Sequence, residues 1–354
     1  MKRTTKYVGL DVHQATTVTS VRESSGRVMA RSVVATEAAA LVEYFAGMRG
    51  SIHVAFEEGT QAQWLHDLLV PVVDRVVVCD RRGEPRAGNK ADQLDADKLS
   101  RLLQSGSLRA VYHGSTDRIT LRELTRAYRS VVEDATRVMQ RLKALYRSRA
   151  IRARGRRVYS PKQRAQWLEQ LPDRGARFRA QALLTQLDVL RVLRPKAKAA
   201  MVAEARRDPA WEVLRSIPFF GPVRVALLLA TLKTPWRFRT KRNLWGYGGL
   251  AVVTESSADY EFGRGRVVRR RRQPLTRGLN PNHNRVVKEV FKGAATAATG
   301  RPGALRDFYE ARVARGMRPE MARLTLARKL AALTLRLWKT GERYDPAKLT
   351  AQST

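Results

Sequence analysis

The stretch YVGLDVHQATTVTSV, residues 7–21, begins as an apolar strand and then places a carboxylate where that strand ends. Val8 and Leu10 suit a buried, pleated strand, and TTVTSVRE, residues 16–23, has the composition of a second one. Asp11 does not suit a buried strand, because a buried carboxylate without a partner is costly. A group elsewhere in the chain, or a bound cation, is therefore expected to pair with the Asp11 carboxylate.

Residues 1–112 predict an α/β module. Further strands are expected at 27–34, 51–58 and 75–80, and helices over 37–48, 60–69 and 92–106. Thr36 is predicted to cap the first helix. Three successive strands followed by alternating helix and strand is the element order of an RNase H-like fold.

The charge of the chain predicts a polyanion as its partner. The 354 residues carry a net charge of +36, with a pI near 11.4. Residues 1–110 hold 15 basic and 13 acidic side chains, whereas the remainder holds 53 and 19. Such an excess of Lys and Arg favours nucleic-acid binding driven by phosphate neutralisation, and places it outside the first module.

Cysteine usage and hydropathy indicate a cytoplasmic setting. Cys79 is the one cysteine, which excludes a disulfide framework and a cysteine-based zinc site. No apolar run is long enough to span a membrane, and the basic N-terminus lacks the apolar core of a signal peptide. We therefore expect a cytoplasmic protein with no membrane partner.

Three regions follow the first module. Residues 118–208 are basic and helical, with two long runs separated by ARGRRVYSPKQ, residues 153–163, and predict an antiparallel coiled-coil hairpin that dimerises or lies along a phosphate backbone. A plain helical spacer fits the same pattern. Residues 211–340 read as a mainly helical domain with apolar helices over 282–298 and 318–340, and 341–354 as a polar tail.

Four acids of the first module lie where strands end or helices begin: Asp11, Glu58, Asp92 and Asp95. In an RNase H-like sheet the first and fourth strands are neighbours and the last helix crosses near their ends, so these carboxylates would converge. Carboxylates that close repel each other unless a cation holds them, and their hard oxygens suit Mg²⁺ or Mn²⁺.

Each acid also has a structural interpretation. Asp11 fits a strand-end turn and Asp92 fits a helix N-cap. Glu57 and Asp97 are close rivals. Glu57 is expected to point to the sheet face opposite Glu58, and Asp97 lies off the helix face of the other two acids. His13 is interpreted as a satisfied or exposed histidine rather than a ligand.

YVGLDVHQ, VAFEEGTQAQWL and NKADQLDADKLSRLL, with the C-terminal segments, resemble the IS110/IS1111 (IS116/IS110/IS902) transposases over nearly the whole chain. The resemblance implies a RuvC-like DEDD domain in which Asp11, Glu58, Asp92 and Asp95 hold the metal. It also implies a coiled coil and a C-terminal transposase domain with a catalytic serine.

The C-terminal segments extend the resemblance. SIPFFGPVRVALLLATL resembles a helix-hairpin-helix-like DNA contact, although a packed apolar turn fits it too. Phe219 stands where the family usually has Gly, so the turn is expected to close differently. LWGYGGLAVVTESSADY resembles the family segment that contains the serine nucleophile. The family often has Gly after this serine, and aligning Ala258 with that Gly makes Ser257 the expected nucleophile. Ser256 is the alternative. Taken without the family, both are ordinary loop serines.

An arginine run follows the serines. Its members are Arg264, Arg266, Arg269, Arg270, Arg271 and Arg272. A solvated charge run is one interpretation, and a loop that clamps phosphates beside the nucleophile is the other.

The resemblance implies an insertion-sequence transposase that cuts and rejoins DNA through a serine–phosphate intermediate. Its expected partners are the element ends, the target DNA, an element-encoded guide RNA and further copies in a dimer or tetramer. Two alternatives remain: a metal-dependent RuvC-like junction endonuclease without a covalent intermediate, and a non-catalytic nucleic-acid-binding protein.

Overall fold

The computed structural model describes residues 4–80, 92–113, 118–255, 260–263, 266–269 and 275–347; for Asp92, 254–255, 260–263, 268–269 and 275–277 it describes the backbone alone. The chain forms two compact units, Met1–Thr116 and Asp117–Thr354. The first combines a β-sheet with helices and the second is mainly helical. This confirms the prediction of an α/β module followed by a mainly helical region.

Five strands form the sheet of the first unit. They are β1 (Thr5–Val12), β2 (Thr16–Glu23), β3 (Val28–Ala35), β4 (Ser51–Glu57) and β5 (Arg75–Cys79), in the spatial order β3-β2-β1-β4-β5. Strands β1, β2 and β3 form an antiparallel meander, whereas β4 and β5 run parallel to β1. The first and fourth strands are therefore neighbours, as their order in the chain predicted.

Helices cover both faces of the sheet. They are α1 (Ala38–Ala46), α2 (Ala62–Leu69) and α3 (Asp92–Gln104). On one face Leu10 and Phe56 pack with Leu65 of α2, and on the other Ala55 packs with Leu103 of α3. Because both faces are buried, β1 and β4 are apolar on both sides, as strands of parallel pairs usually are.

Gly9 lets α3 lie directly on the centre of β1. A Cβ at Gly9 would stand 2.1 Å from the carbonyl oxygen of Ala96 and 2.5 Å from the backbone nitrogen of Ser100. A close helix–strand approach of this kind requires a residue without a side chain. The glycine two positions before Asp11 therefore sets how near α3 comes to the sheet.

The prediction that Thr36 caps α1 was wrong. Thr36 Oγ1 donates to the carbonyl of His13 at 3.0 Å and lies 2.9 Å from Thr17 Oγ1, while the N-cap position of α1 is taken by Glu37. The Thr36 hydroxyl instead hydrogen-bonds to the turn after β1 and so connects the end of β3 to that turn, because the turn offers an acceptor within hydrogen-bond distance.

Two long helices dominate the first part of the second unit: α4 (Ile119–Arg147) and α6 (Arg174–Ala205). The end of α4 packs on the start of α6, with Leu142 and Ala180 fully buried in one cluster. Arg149 Nη2 lies 3.1 Å from Asp173 Oδ2, and Asp173 caps α6, so the two helices run antiparallel.

The second helical run is shorter than predicted. It was expected over 163–206, but a short helix α5 (Arg164–Glu169) precedes α6. The helical structure is interrupted between them, at Pro172 and Asp173. Proline ends a helix at the preceding residue, and aspartate starts a new one as its N-cap.

Six further helices build the rest of the second unit. They are α7 (Trp211–Ser216), α8 (Pro222–Leu232), α9 (Lys241–Tyr247), α10 (Arg285–Thr299), α11 (Ala304–Ala314) and α12 (Pro319–Thr340). Leu228, Phe291 and Leu330 are buried in their common core. The helices α10 and α12 lie where apolar helices were predicted, whereas α11 was not predicted.

Two small β-hairpin-like pairs lie between α9 and α10. β6 (Val252–Glu255) pairs antiparallel with β9 (Leu275–Leu279), and β7 (Tyr260–Gly263) pairs antiparallel with β8 (Arg266–Arg269). No helix in the described part of the chain has the length and apolar character needed to cross a membrane.

Candidate active site

Asp11 lies near the carboxyl end of the central strand, on the face that α3 covers. Strand alternation places it on the same side as Gly9, opposite the buried side chain of Leu10. Its side chain is 22% exposed, and His13 Nε2 lies 3.2 Å from its Oδ2. His13 is half-exposed and pairs with Asp11, which agrees with its interpretation as a satisfied surface histidine.

The strand register brings Glu57, rather than Glu58, next to Asp11. β1 and β4 pair in parallel up to Leu10 and Phe56, so the next positions along both strands are Asp11 and Glu57. Neighbours in a parallel register point to the same face. Glu57 also pairs with Cys79 of β5, and burial raises the pKa of that thiol to about 12, with the charge of Glu57 adding to the rise.

Glu58 lies beyond the end of β4 and has different neighbours. Its Oε2 is 3.8 Å from Nε2 of His113, and its side chain is 44% exposed. The His113 ring stacks at a tilt against His66, with 5.3 Å between the ring centroids, and His66 belongs to α2 on the opposite face of the sheet. The structure thus places Glu58 near His113, beyond the end of β4.

The first turns of α3 bring a second pair of acids to the same end of the sheet. Ala96 sits over Gly9, and Asp95 precedes it, so Asp95 lies at the end of the sheet that carries Asp11. Asp95 is half-buried. Asp92 begins α3 one turn earlier, and its side chain lies outside the described residues.

Asp97, the rival on α3, is used structurally. Its carboxylate accepts hydrogen bonds from Arg31 of β3 at 2.7 Å and from Ser20 of β2 at 2.5 Å. Burial alone would raise its pKa, but the hydrogen bonds from Arg31 and Ser20 outweigh burial and hold that pKa below its usual value. Asp97 therefore anchors α3 to the sheet.

The donor chemistry at this edge suits a hard divalent cation. Asp11, Glu57 and Asp95 supply carboxylate oxygens from two parallel strands and one crossing helix, which is the ligand type that Mg²⁺ and Mn²⁺ prefer. Among the described side chains, no three histidines, cysteines or acids are close enough together to form a metal site as they stand.

Most of the C-terminal candidates lie outside the described residues. These are Ser256, Ser257, Arg264, Arg270, Arg271 and Arg272. The two serines directly follow β6, and Arg266 is exposed on β8. For Arg269, also on β8, the backbone alone is described.

The segment between α7 and α8 forms a tight turn that two arginines hold. Phe219 has a φ of 68°, in the left-handed region that favours glycine. Arg224 Nη1 donates to the carbonyl of Phe219 at 2.6 Å, and Arg215 Nη1 donates to the carbonyl of Phe220 at 2.5 Å. Phe219 thus adopts a backbone conformation that glycine adopts more readily, and whether the turn closes differently from that of related proteins stays a prediction.

Two segments of the chain are similar to known transposase families. Residues 8–148 match the IS110-type DEDD family described as "Transposase", and residues 211–310 match the "Transposase IS116/IS110/IS902 family". The chain is 29% identical over 164 residues to "Insertion element IS110 uncharacterized 43.6 kDa protein" of Streptomyces coelicolor, a match that spans 46% of this chain and 37% of that protein. Over these two segments the chain is therefore similar to transposases of the IS110 type.

Proposed function

We propose that the chain is a DNA transposase that cuts and rejoins DNA strands at an acidic, metal-assisted centre in its first unit. The observation that carries the proposal is the register of β1 and β4, which sets Asp11 and Glu57 side by side under the start of α3. Acidic side chains that approach one edge of the sheet, in a chain of net charge +36, are what a metal-assisted nuclease-type centre would require.

We assign the sheet to the RNase H-like class. Its order β3-β2-β1-β4-β5, with an antiparallel meander and two parallel strands, is the arrangement expected of that class, and α3 crosses β1 near the acids. The ligands proposed are Asp11, Asp92 and Asp95, with Glu57 in place of Glu58 because of its face. A bound Mg²⁺ or Mn²⁺ would polarise the phosphate under attack.

The proposed nucleophile is Ser257, with Ser256 as the alternative. Its Oγ would attack the phosphorus of a DNA strand, so that an Oγ–P bond forms while a P–O bond to the sugar breaks and the proton of the hydroxyl is released. The phosphoserine link conserves the energy of the broken bond, so a second sugar hydroxyl can reverse the step and rejoin strands without ATP.

The basic second unit is proposed to hold the nucleic acids. It carries nearly all of the excess positive charge, and the turn at Phe219 presents the start of α8 in the manner of a helix-hairpin-helix contact. We propose DNA ends, target DNA and a guide RNA as its partners, and a dimer or tetramer in which α4 and α6 form a coiled-coil contact.

A hydrolytic nuclease is the second candidate, because the acids at the sheet edge could activate water without a serine. A denaturing gel of end-labelled element-junction DNA, incubated with full-length protein, Mg²⁺ and RNA from the element's flank, separates the two. We expect a protease-sensitive protein–DNA adduct with wild type and Ser256→Ala, and none with Ser257→Ala. Cut DNA without adduct in all three proteins would identify the nuclease.

A further inference from the structure

Five cationic side chains line one cavity of the second unit. The cavity has a volume of about 340 Å³ and lies between α12, the start of α9 and the segment that precedes α9. Its charged lining, named the cationic pocket below, consists of Arg239, Lys241, Lys329, Arg336 and Lys339. The other lining residues are Ala332, Leu333 and Leu335, so no acid faces these charges from the pocket wall.

Four of the five cations of the cationic pocket form no ion pair within the described part of the chain. No carboxylate there forms an ion pair with Arg239, Lys241, Arg336 or Lys339. Lys339 Nζ donates instead to the carbonyl of Phe238 at 2.7 Å, and Arg336 Nε is buried without a hydrogen-bond partner among the described residues. Grouped like charges destabilise a fold unless an anion binds them.

The lowered pKa of Lys329 agrees with repulsion among the cations of the pocket. Burial lowers the pKa of its ammonium group, and the neighbouring charges of Lys241, Arg336 and Arg312 lower it further. An anion entering the pocket would relieve this repulsion, so binding and charge relief act in the same direction.

An exposed aromatic ring contacts Lys339, one of the cations that line the cationic pocket. Trp236 is 70% exposed, and Lys339 Nζ lies 5.3 Å from the centroid of its ring. A large exposed ring beside cations is the combination with which proteins bind unpaired nucleotides: the cations contact phosphates and the ring stacks on a base.

We propose that the cationic pocket binds the phosphodiester backbone of an unpaired nucleic-acid strand, with a base of that strand stacked on Trp236. A cavity of this size accepts a small ligand or a short part of a strand and not a double helix. In a duplex, moreover, the bases already stack on each other and leave no face for Trp236. The inference rests on the proposed function for its choice of nucleic acid as the partner.

The test measures the affinity of the full-length protein for fluorescein-labelled oligo(dT), oligo(U) and a duplex, each of about 12 nucleotides or base pairs, by fluorescence anisotropy over a salt series. The variant Arg239→Gln/Lys241→Gln removes two exposed cations of the pocket. Its matched control, Arg49→Gln/Arg109→Gln, removes two exposed cations of the first unit, which is not proposed to bind the strand. All four side chains are exposed, so folding is expected to survive.

We expect the pocket variant to bind single strands at least about 10-fold more weakly and to lose about one unit of the salt slope, while the control changes little. Trp236→Ala should weaken single-strand binding about 10-fold, Trp236→Phe should largely retain it, and duplex binding should not respond to either. A stronger effect on oligo(U) than on oligo(dT) would identify RNA as the strand, and the reverse would identify DNA.

Equal losses in the pocket variant and its control, or equal losses for strand and duplex, would overturn the inference. Failure of the proposed catalysis would look different. Asp11→Asn protein should bind each oligonucleotide like wild type, so a missing adduct in the gel assay combined with intact pocket effects would reject the proposed chemistry alone.

Discussion

Glu57 and Glu58 differ by one position in the chain, and the pleat of β4 directs them to different surroundings. Glu57 continues the register of β1 and β4 at the position beside Asp11, whereas Glu58 lies 3.8 Å from His113 beyond the strand end. Because side chains of a strand alternate between faces, moving a strand end by one residue exchanges the acid that reaches the site.

We predict that Glu57→Gln abolishes strand cutting and rejoining, with a loss of at least about 100-fold, because one metal-binding carboxylate is removed. Glu58→Gln should change the rate by less than about 5-fold. The gel assay with Mg²⁺ measures both, and circular dichroism checks that each variant folds. A larger loss of activity in Glu58→Gln than in Glu57→Gln would identify Glu58 as the metal ligand.

Lys329 is predicted to destabilise the free protein at neutral pH. Its folded-state pKa lies below the unfolded value near 10.5, so between the two values the unfolded chain binds more protons, and stability rises with pH there. Lys329→Met should therefore raise the free energy of unfolding at pH 7, and this gain should shrink as the pH rises toward 10.5.

Urea unfolding at pH 7 and pH 10 measures this effect. Lys198→Met, at an exposed position of α6, is the matched control and should show no such pH-dependent gain. A loss of stability in Lys329→Met at neutral pH would contradict the repulsion that we infer for the cationic pocket.

At the scale of elements, the packing of α3 on β1 decides where Asp95 stands. Gly9→Ala would put a methyl group against the backbone of α3, 2.1 Å from the Ala96 oxygen. We expect a loss of about 3 kcal/mol in unfolding free energy and a loss of strand-cutting activity, although every carboxylate remains.

Gly47→Ala, where the added Cβ meets atoms at an ordinary 3.7 Å, is the control and should retain activity. Thermal unfolding and the gel assay are measured side by side. Full activity in a folded Gly9→Ala protein would show that the catalytic acids tolerate a shift of α3.

The turn between α7 and α8 is predicted to be strained at Phe219. A left-handed conformation costs a residue with a Cβ roughly 1–2 kcal/mol that glycine does not lose. We expect Phe219→Gly to be more stable than Phe219→Ala by about 1 kcal/mol in urea unfolding. At the exposed helical position Phe178 the order should be reversed, because glycine disfavours a helix interior.

At the scale of the whole molecule, charge separates the two units. The excess of basic over acidic side chains is concentrated after residue 110. In the presence of EDTA, oligo(dT) should therefore slow hydrogen exchange in residues 117–354, including α12, and leave β1–β5 nearly unchanged, because binding protects the segments that it contacts. Protection confined to the sheet would contradict this division.

Sequence patterns were sufficient for the features that depend on neighbouring residues. The strands around Asp11 follow from apolar alternation, and the placement of β1 beside β4 follows from the order of elements. The choice of Glu58 over Glu57 was less secure, since it depends on where β4 ends, and strand ends depend on pairing with β1 and β5.

The cationic pocket could not be predicted from the chain alone. It combines 239–241 with residues of α12 roughly 90 positions later, and no local pattern links them. The hydrogen bond of Thr36 could not be predicted either, because its acceptor lies in a turn some 20 residues upstream. Such features depend on tertiary contacts and not on propensity.

The state of Cys79 makes the chain well suited to site-specific labelling. The thiol is buried, and with a pKa of about 12 only about one molecule in 100,000 carries the reactive thiolate at pH 7. A cysteine introduced at an exposed position such as Arg179 would therefore react with maleimide dyes while the native thiol stays silent. Distances between such dyes could then report how copies of the chain come together on nucleic acid, without any prior removal of the natural cysteine.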